Sequence, residues 1–447
     1  MNRETIKSII LTFLVLTSLF FTWNIWTYQP NYGEISNSNY IENNPLSNVT
    51  KKPYEVVQPD HIMIHEKIKH YATYDEIVIE RLWKDIRQWE LEEFKNISGE
   101  IEKQYGFNQW INREIHNSTP NFEVIFNDSI PMSALLSITD WTDKEDFNIE
   151  FDRIYIPLTN EKANRKLYLV DYEHKYVVEA QVRAALSNLW TEVYKEKENF
   201  ESYVFWNGLF LPEKPFPIHR LQYFTKSMSG EQFKNALFSD PSYVKRDVNA
   251  SEFVYTDSSR QLVINEDKER VVYVNPTIDQ SLTTEKGKLI LQSIDFLNKH
   301  GGWLSGLNDY RFEKTDQEQK IYFRLTVRNL PVFSFSDSHY SITTIMQSWG
   351  KNDIALYQRP LFYLDDFIRE DKTTLPKAAD IIEAIKDNPS IEADKIKRIF
   401  PAYDIQQSSR QNIVNLEPIW CIELENDKYQ RLNVKKAGKG GEGIGLE

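Results

Sequence analysis

The residue types best able to do chemistry in this chain fall in a few short clusters, each lacking part of the arrangement its chemistry needs. His61, His65, Glu66 and His70 form the first. A zinc protease places two histidines four apart on a helix with glutamate directly after the first, so His65-Glu66 would require histidine at position 69, where Lys69 stands. His61 and His65 do have i, i+4 spacing and would share a helical face able to hold an ion with an acidic partner. The expectation is nonetheless of ordinary, partly exposed histidines and no metal. Asp337-Ser338-His339 sets three triad residue types side by side, but a triad assembles from distant segments and a Gly-flanked serine turn is absent. Gly438-Lys439-Gly440-Gly441-Glu442-Gly443 spells a dinucleotide fingerprint, but that motif needs a preceding strand and a following helix whose N-terminus holds the pyrophosphate, and only four residues follow it. The 66 acidic residues guarantee carboxylate pairs somewhere, and pairs such as Glu92-Glu93 and Asp365-Asp366 read as solvated surface. No catalytic residue and no cofactor is expected, and the chain does not read as an enzyme.

The N-terminus is more informative. Between Lys7 and Glu34 there is no charged residue, and residues 9–28 supply the roughly 20 mostly apolar positions that one bilayer-spanning helix needs. Arg3 and Lys7 lie on the short flank and the long flank is acidic, so the positive-inside bias places residues 1–8 in the cytoplasm and the rest outside. No pair of small residues follows Phe21 at the spacing of a signal-peptide cleavage site, which favours an uncleaved single-pass anchor in the cell membrane. At about 100° per residue, Ser8, Leu11, Thr12, Val15, Ser18, Leu19, Thr22 and Trp26 share one stripe of the helix. Small residues four apart, Ser8 with Thr12 and Ser18 with Thr22, let two helix backbones approach closely in lipid. Ser8, Thr12, Val15, Ser18 and Thr22 are therefore the candidate partner-binding residues; against this stands the ability of hydroxyls to satisfy carbonyls of their own helix.

Beyond the anchor, about 415 residues exceed what one core usually organises, and two or three domains are expected. A net charge of −13 argues against nucleic acid or anionic lipid as partner. Cys421 is the only cysteine, which excludes an intramolecular disulfide. Residues 29–59, rich in Pro, Asn and Ser, read as a stalk. An α+β domain is expected over 60–200, with a helix carrying Ile79, Leu82, Trp83, Ile86, Trp89, Phe94 and Ile97 and a second carrying Val182, Leu186, Leu189, Trp190 and Val193. A second α+β unit over 205–330 contains a helix stopped by Gly301-Gly302, and a β-rich unit over 335–432 precedes a flexible tail, 433–447. Helices packed on mixed or antiparallel sheets make this an α+β protein.

Local wording adds a resemblance. Trp23-Asn24-Ile25-Trp26-Thr27-Tyr28-Gln29-Pro30-Asn31-Tyr32, Tyr357-Gln358-Arg359-Pro360 and Leu416-Glu417-Pro418-Ile419-Trp420, set in this order along an acidic exterior, resemble the YycH (WalH) family of low-GC Gram-positive bacteria. The resemblance implies a single-pass accessory protein acting with a YycI-like membrane partner on a WalK-type sensor histidine kinase of cell-wall homeostasis, with three outer domains, the last YycI-like. It brings neither cofactor nor enzymatic activity, and it leaves open whether the kinase is inhibited or activated. Two other classes fit the same exterior: a module binding wall fragments or peptides in an aromatic-lined cleft, and a wall hydrolase with facing carboxylates.

Overall fold

Alternating apolar residues after position 60 build an antiparallel sheet. The computed structural model describes residues 3–27, 46–117, 120–141, 149–158, 165–183, 188–249, 251–281, 283–304, 309–316, 318–335, 342–350, 352–408 and 412–434. Residues 1–43 and 44–447 form two separate compact units. In the first, one helix runs Arg3–Thr27. Among the described residues no helix is long and apolar enough to cross a membrane. Parts of the expected span, including the side chains of Ile9, Ile10 and Trp23–Thr27, and the stalk as far as residue 45 lie outside the described residues, as do Asp337-Ser338-His339 and the glycine-rich tail.

The second unit begins with nine strands: β1 His61–Glu66, β2 Lys69–Thr73, β3 Leu91–Asn96, β4 Asn121–Pro131, β5 Glu150–Pro157, β6 Lys166–Asp171, β7 Tyr176–Val182, β8 Glu201–Trp206 and β9 Leu209–Pro212. They form one antiparallel sheet in the order β3-β7-β6-β5-β4-β1-β2-β8-β9. Residues 201–212 therefore extend the first sheet, past the expected end of the first domain at 200. One face carries Ile62, Ile64, Phe122, Val124, Ile154 and Ile156, buried in the main core with the helices Glu76–Arg87 and Leu189–Lys195. Asp75 caps the first of these by accepting from Val78 N at 3.0 Å. Asp85 Oδ2 ties the two helices together, accepting from Trp89 Nε1 at 3.0 Å and Trp190 Nε1 at 2.8 Å. On the other face Tyr155, Val170 and Val177 pack with Ile101, Phe107, Trp110, Ile111 and Ile115 from the helical segment that follows β3.

Two helix expectations need correction. The helix expected over Ile79–Ile97 stops at Arg87, and Leu91–Asn96 is an edge strand paired with β7. A bulge between Glu92 and Lys95, with Glu93 at φ 55°, puts buried Leu91 and Phe94 three apart, which imitates a helical period. The helix expected from Val182 begins at Leu189, because Val182 still pairs with Leu91 as the end of β7.

The remaining strands are β10 Phe216–Ser227, β11 Lys245–Asn249, β12 Glu252–Thr256, β13 Gln261–Asn265, β14 Arg270–Val274, β15 Asp309–Thr315, β16 Lys320–Val327, β17 Leu330–Phe333, β18 Thr344–Trp349, β19 Ile354–Pro360, β20 Phe362–Leu375, β21 Ile396–Gln407, β22 Ile413–Leu424 and β23 Tyr429–Leu432. They join in one sheet, β11-β12-β13-β14-β19-β18-β16-β17-β21-β22-β10-β20, with β15 on β16 and β23 on β22. The join between the expected units 205–330 and 335–432 is thus a hydrogen-bonded one, the parallel pairing of β17 with β21. Pro418 fits within β22 because β10 pairs that strand only to Leu416 and β23 only from Trp420. Helices Gly230–Leu237, Lys286–Lys299 and Ala378–Asp387 bury apolar stripes on this sheet. The helix before Gly301-Gly302 ends as the sequence predicts: Gly301 takes φ 63° and Gly302 N donates to Leu297 O at 2.7 Å, a Schellman closure.

Candidate functional site

The histidines singled out by spacing lie on strands, not on a helix. β1 and β2 form a tight hairpin through Lys67 and Ile68, with Lys67 at φ 54°, and this sets His65 directly opposite His70. Alternation sends Glu66 to the opposite face, where its carboxylate accepts from Tyr194 Oη at 2.8 Å. His61 is occupied separately, its Nδ1 2.7 Å from Asp60 Oδ2 and its ring stacked on Tyr74. The expectation of partly exposed side chains fails for His65 and His70, which are 0% and 6% exposed.

Two further residues complete the cluster. Glu123 lies on β4 opposite Met63, so it faces His65 diagonally across the β1–β4 pair. His116 is the last residue of a π-helical segment, Ile111–His116, a backbone form often found at functional positions. His65 Nε2 is 2.8 Å from Glu123 Oε2, and His65 Nδ1 is 2.9 Å from His70 Nδ1. The other carboxylate oxygen, Oε1, accepts from Tyr155 Oη at 3.0 Å and pairs with Arg153 Nε at 3.0 Å. Tyr155 in turn lies 2.6 Å from Tyr172 Oη, and Arg153 also binds Asp152 at 2.7 Å. Phe210 covers the histidines, with ring centroids 4.8–5.1 Å from those of His65, His70 and His116. Both ring nitrogens of His116 are buried without a hydrogen-bonding partner among the described residues.

The electrostatics favour neutral imidazoles at His70 and His116 beside an ionised carboxylate at Glu123. Burial, reinforced by the neighbouring His65, lowers His70 to about 4 and His116 to about 3. Burial alone would raise Glu123, yet the hydrogen bond from His65 and the charges of His65 and Arg153 carry it well below the usual carboxylate range. Both short contacts are satisfied when a neutral His70 pairs through Nδ1 with His65 Nδ1 and His65 Nε2–H donates to Glu123. His65, His116 and Glu123 each offer a ligand atom, all within 4.8 Å of one another.

Sequence spacing missed His116 and Glu123 because the topology, not the local chain, brings them to His65. A signal for Glu123 was present: it is the one charge within Phe122-Glu123-Val124-Ile125-Phe126, a run otherwise apolar. The candidate stripe belongs to the helix Arg3–Thr27 of the first unit. There Thr12, Val15, Ser18 and Thr22 are exposed, and the side chain of Ser8 lies outside the described residues. Thr22 Oγ1 donates to Ser18 O at 2.9 Å, so that hydroxyl does satisfy its own helix. A cavity of about 300 Å³ bordered by Lys268, Glu269, Phe362 and Gln407 has a mixed lining with Phe362 as its one aromatic residue.

Two sheets with helices on their faces, and a buried histidine–carboxylate cluster held between strands, define an α+β protein built from an N-terminal and a C-terminal sheet domain. Residues 4–198 match the family described as "YycH protein, N-terminal domain" and residues 207–437 that described as "YycH protein, C-terminal domain". The chain belongs to the YycH family. It is 30% identical over 461 residues, covering 100% of both chains, to the "Two-component system WalR/WalK regulatory protein YycH" of Bacillus subtilis (strain 168). The crystal structure of YycH from Bacillus subtilis superposes with a TM-score of 0.74 at 27% identity, over 86% of this chain and 98% of that one.

Proposed function

We propose that this chain is an accessory regulator of a WalK-type sensor histidine kinase, anchored by its N-terminal helix with residues 1–8 in the cytoplasm and the two sheets outside. The observation that carries this reading is the end-to-end match with a relative whose name places it on the WalR/WalK system. The helix supports the anchor, because Leu11, Phe13, Leu14, Val15, Leu16, Leu19, Phe20 and Phe21 are each 51–66% exposed. A helix whose exposed side chains are mostly large and apolar needs an apolar environment.

A signal from outside reaches the kinase as a change in helix packing, and an accessory protein shifts that equilibrium only by binding its two states with different affinity. In this proposal Ser8, Thr12, Val15, Ser18 and Thr22 form the face that meets the kinase or a YycI-like partner. Replacing Ser18 and Thr22 together with Leu blocks close approach at a cost of about 1 kcal/mol or more, while insertion is retained. Phe13 and Phe20, replaced with Leu, serve as the control away from the stripe. Pathway output at matched protein levels is expected to change for the first pair and not the second. Equal effects, or none, would defeat the stripe, and a membrane pull-down recovering no histidine kinase with the tagged chain would count against the regulatory reading itself.

A further inference from the structure

We propose that His65, His116 and Glu123 form a binding site for one divalent transition-metal ion of the zinc class, with His70 positioning His65. The donor set is two imidazoles and one carboxylate, the composition of three-ligand zinc sites that keep a fourth position open. Three independent features of the geometry support it.

The first is His116. Its side chain is buried, 6% exposed, and neither ring nitrogen has a hydrogen-bonding partner among the described residues. An unsatisfied buried polar group costs roughly 1–3 kcal/mol, so a native fold keeps one only for a reason, and an ion is one such reason. Its ring centroid lies 4.7 Å from that of His65.

The second is the presentation of Glu123. Tyr155 and Arg153 hold Oε1, which leaves Oε2 directed at His65. A carboxylate fixed through one oxygen and offered through the other is the way a supporting shell orients a monodentate ligand. Arg153 does not leave a bare cation beside the site, because Asp152 neutralises it at 2.7 Å.

The third is the fit of distances. His65 Nε2 and Glu123 Oε2, 2.8 Å apart, share a proton. Ligand atoms about 2.0–2.1 Å from a tetrahedral zinc lie roughly 3.3 Å from each other, so an ion taking that proton's place needs the pair to open by about half an ångström. His65 yields its Nε2 position to the ion and holds its one proton on Nδ1, which donates to His70 Nδ1 while His70 carries its own proton on Nε2, so both imidazoles are neutral and the contact between them is kept. Because the ligands come from β1, β4 and the end of the π-helical segment, the ion would clamp that segment onto the sheet. None of this depends on the regulatory reading.

The test uses the full chain in detergent with a histidine-free tag, stripped with chelator, then loaded with Zn²⁺ or with Co²⁺ as an optical probe and desalted. Expected are one zinc per chain, the absorption of four-coordinate cobalt, and a thermal midpoint raised by the ion. His116→Phe, which keeps an aromatic ring against Phe210, and Glu123→Gln should each weaken zinc binding by more than about 100-fold, beyond the usual effect of a merely supporting residue. Circular dichroism reports whether each variant folds; if His116→Phe does not, Glu123→Gln carries the comparison. Wild-type chain that retains no stoichiometric ion overturns the proposal. So does equal retention in the folded variants, which would place the metal on the chain's other histidines.

Discussion

Arg359 shows how much a single side chain can hold in this fold. It is fully buried, its Nη1 donates to Gly302 O at 2.8 Å and approaches Tyr357 Oη at 3.2 Å, and its Nε and Nη2 find no partner among the described residues. A buried charge so incompletely paired is weak evidence for stability, since desolvation opposes the contacts it makes. Two substitutions separate its bulk from its charge. Arg359→Met keeps most of the volume and should leave stability within about 1 kcal/mol or raise it. Arg359→Ala leaves a cavity and should cost about 3 kcal/mol. Urea midpoints of the two variants check this; equal losses would mean that the guanidinium, rather than its volume, is what the core requires.

At the scale of elements, sequence patterning was informative wherever local rules and tertiary context agreed. The helix Lys286–Lys299 stops where Gly301-Gly302 predicts, and in the structure Ser229 and Gln232 form a capping box that starts the helix Gly230–Leu237. Patterning misled at Leu91–Asn96, where a bulge gave a strand the spacing of a helix, and at His61–Glu66, where i, i+4 spacing fits one strand face as well as one helix face. The cluster was half legible for the same reason. His65 and His70 are five apart and their hairpin can be imagined locally, whereas the pairing of β1 with β4 and the placing of His116 are tertiary. Gly301 offers a test at this scale. At φ 63° an alanine there is strained, and its Cβ would come 2.4 Å from Ser47 N and Ser47 O and 2.6 Å from Leu46 N, all backbone. Gly301→Ala should therefore cost well above the roughly 1 kcal/mol of conformational strain alone and loosen residues 46–47 from the helix end. Hydrogen exchange at Leu46, whose N–H donates to His300 O, reports the loosening; unchanged protection would mean that this contact does not hold the segment.

The whole second unit is held across its two sheets by one continuous core and by a polar seam. Arg311 reaches Glu76 at 2.8 Å, Asn329 Nδ2 donates to Asp60 O at 2.7 Å, Arg398 to Asn127 Oδ1 at 2.9 Å, and Lys286 to Glu150 Oε2 at 2.8 Å. The carboxylates on this seam do not all respond to pH in the same sense. Burial works against the charge of Asp309, but Arg311 and Lys51 outweigh it and hold the carboxyl below its usual value of 3.8. Its unfolded form therefore binds protons first, so its contribution is complete above about pH 5 and is lost as pH falls through the folded value. For Asp128 burial wins over Lys286 and the Thr315 N–H, the carboxyl is raised, and the sign reverses: it costs stability at neutral pH and costs less on acidification. Asp309→Asn is accordingly expected to lower the urea midpoint near pH 7, by the equivalent of about 1–3 kcal/mol, and to flatten the acid limb of the stability curve. Asp128→Asn, which keeps an oxygen for Thr315 N, should lose less or gain. Midpoints measured near pH 7 and near pH 3 decide between them. If Asp128→Asn proved the more damaging at neutral pH, the charge of Asp128, and not its hydrogen bond, would be what fastens the first sheet to β15.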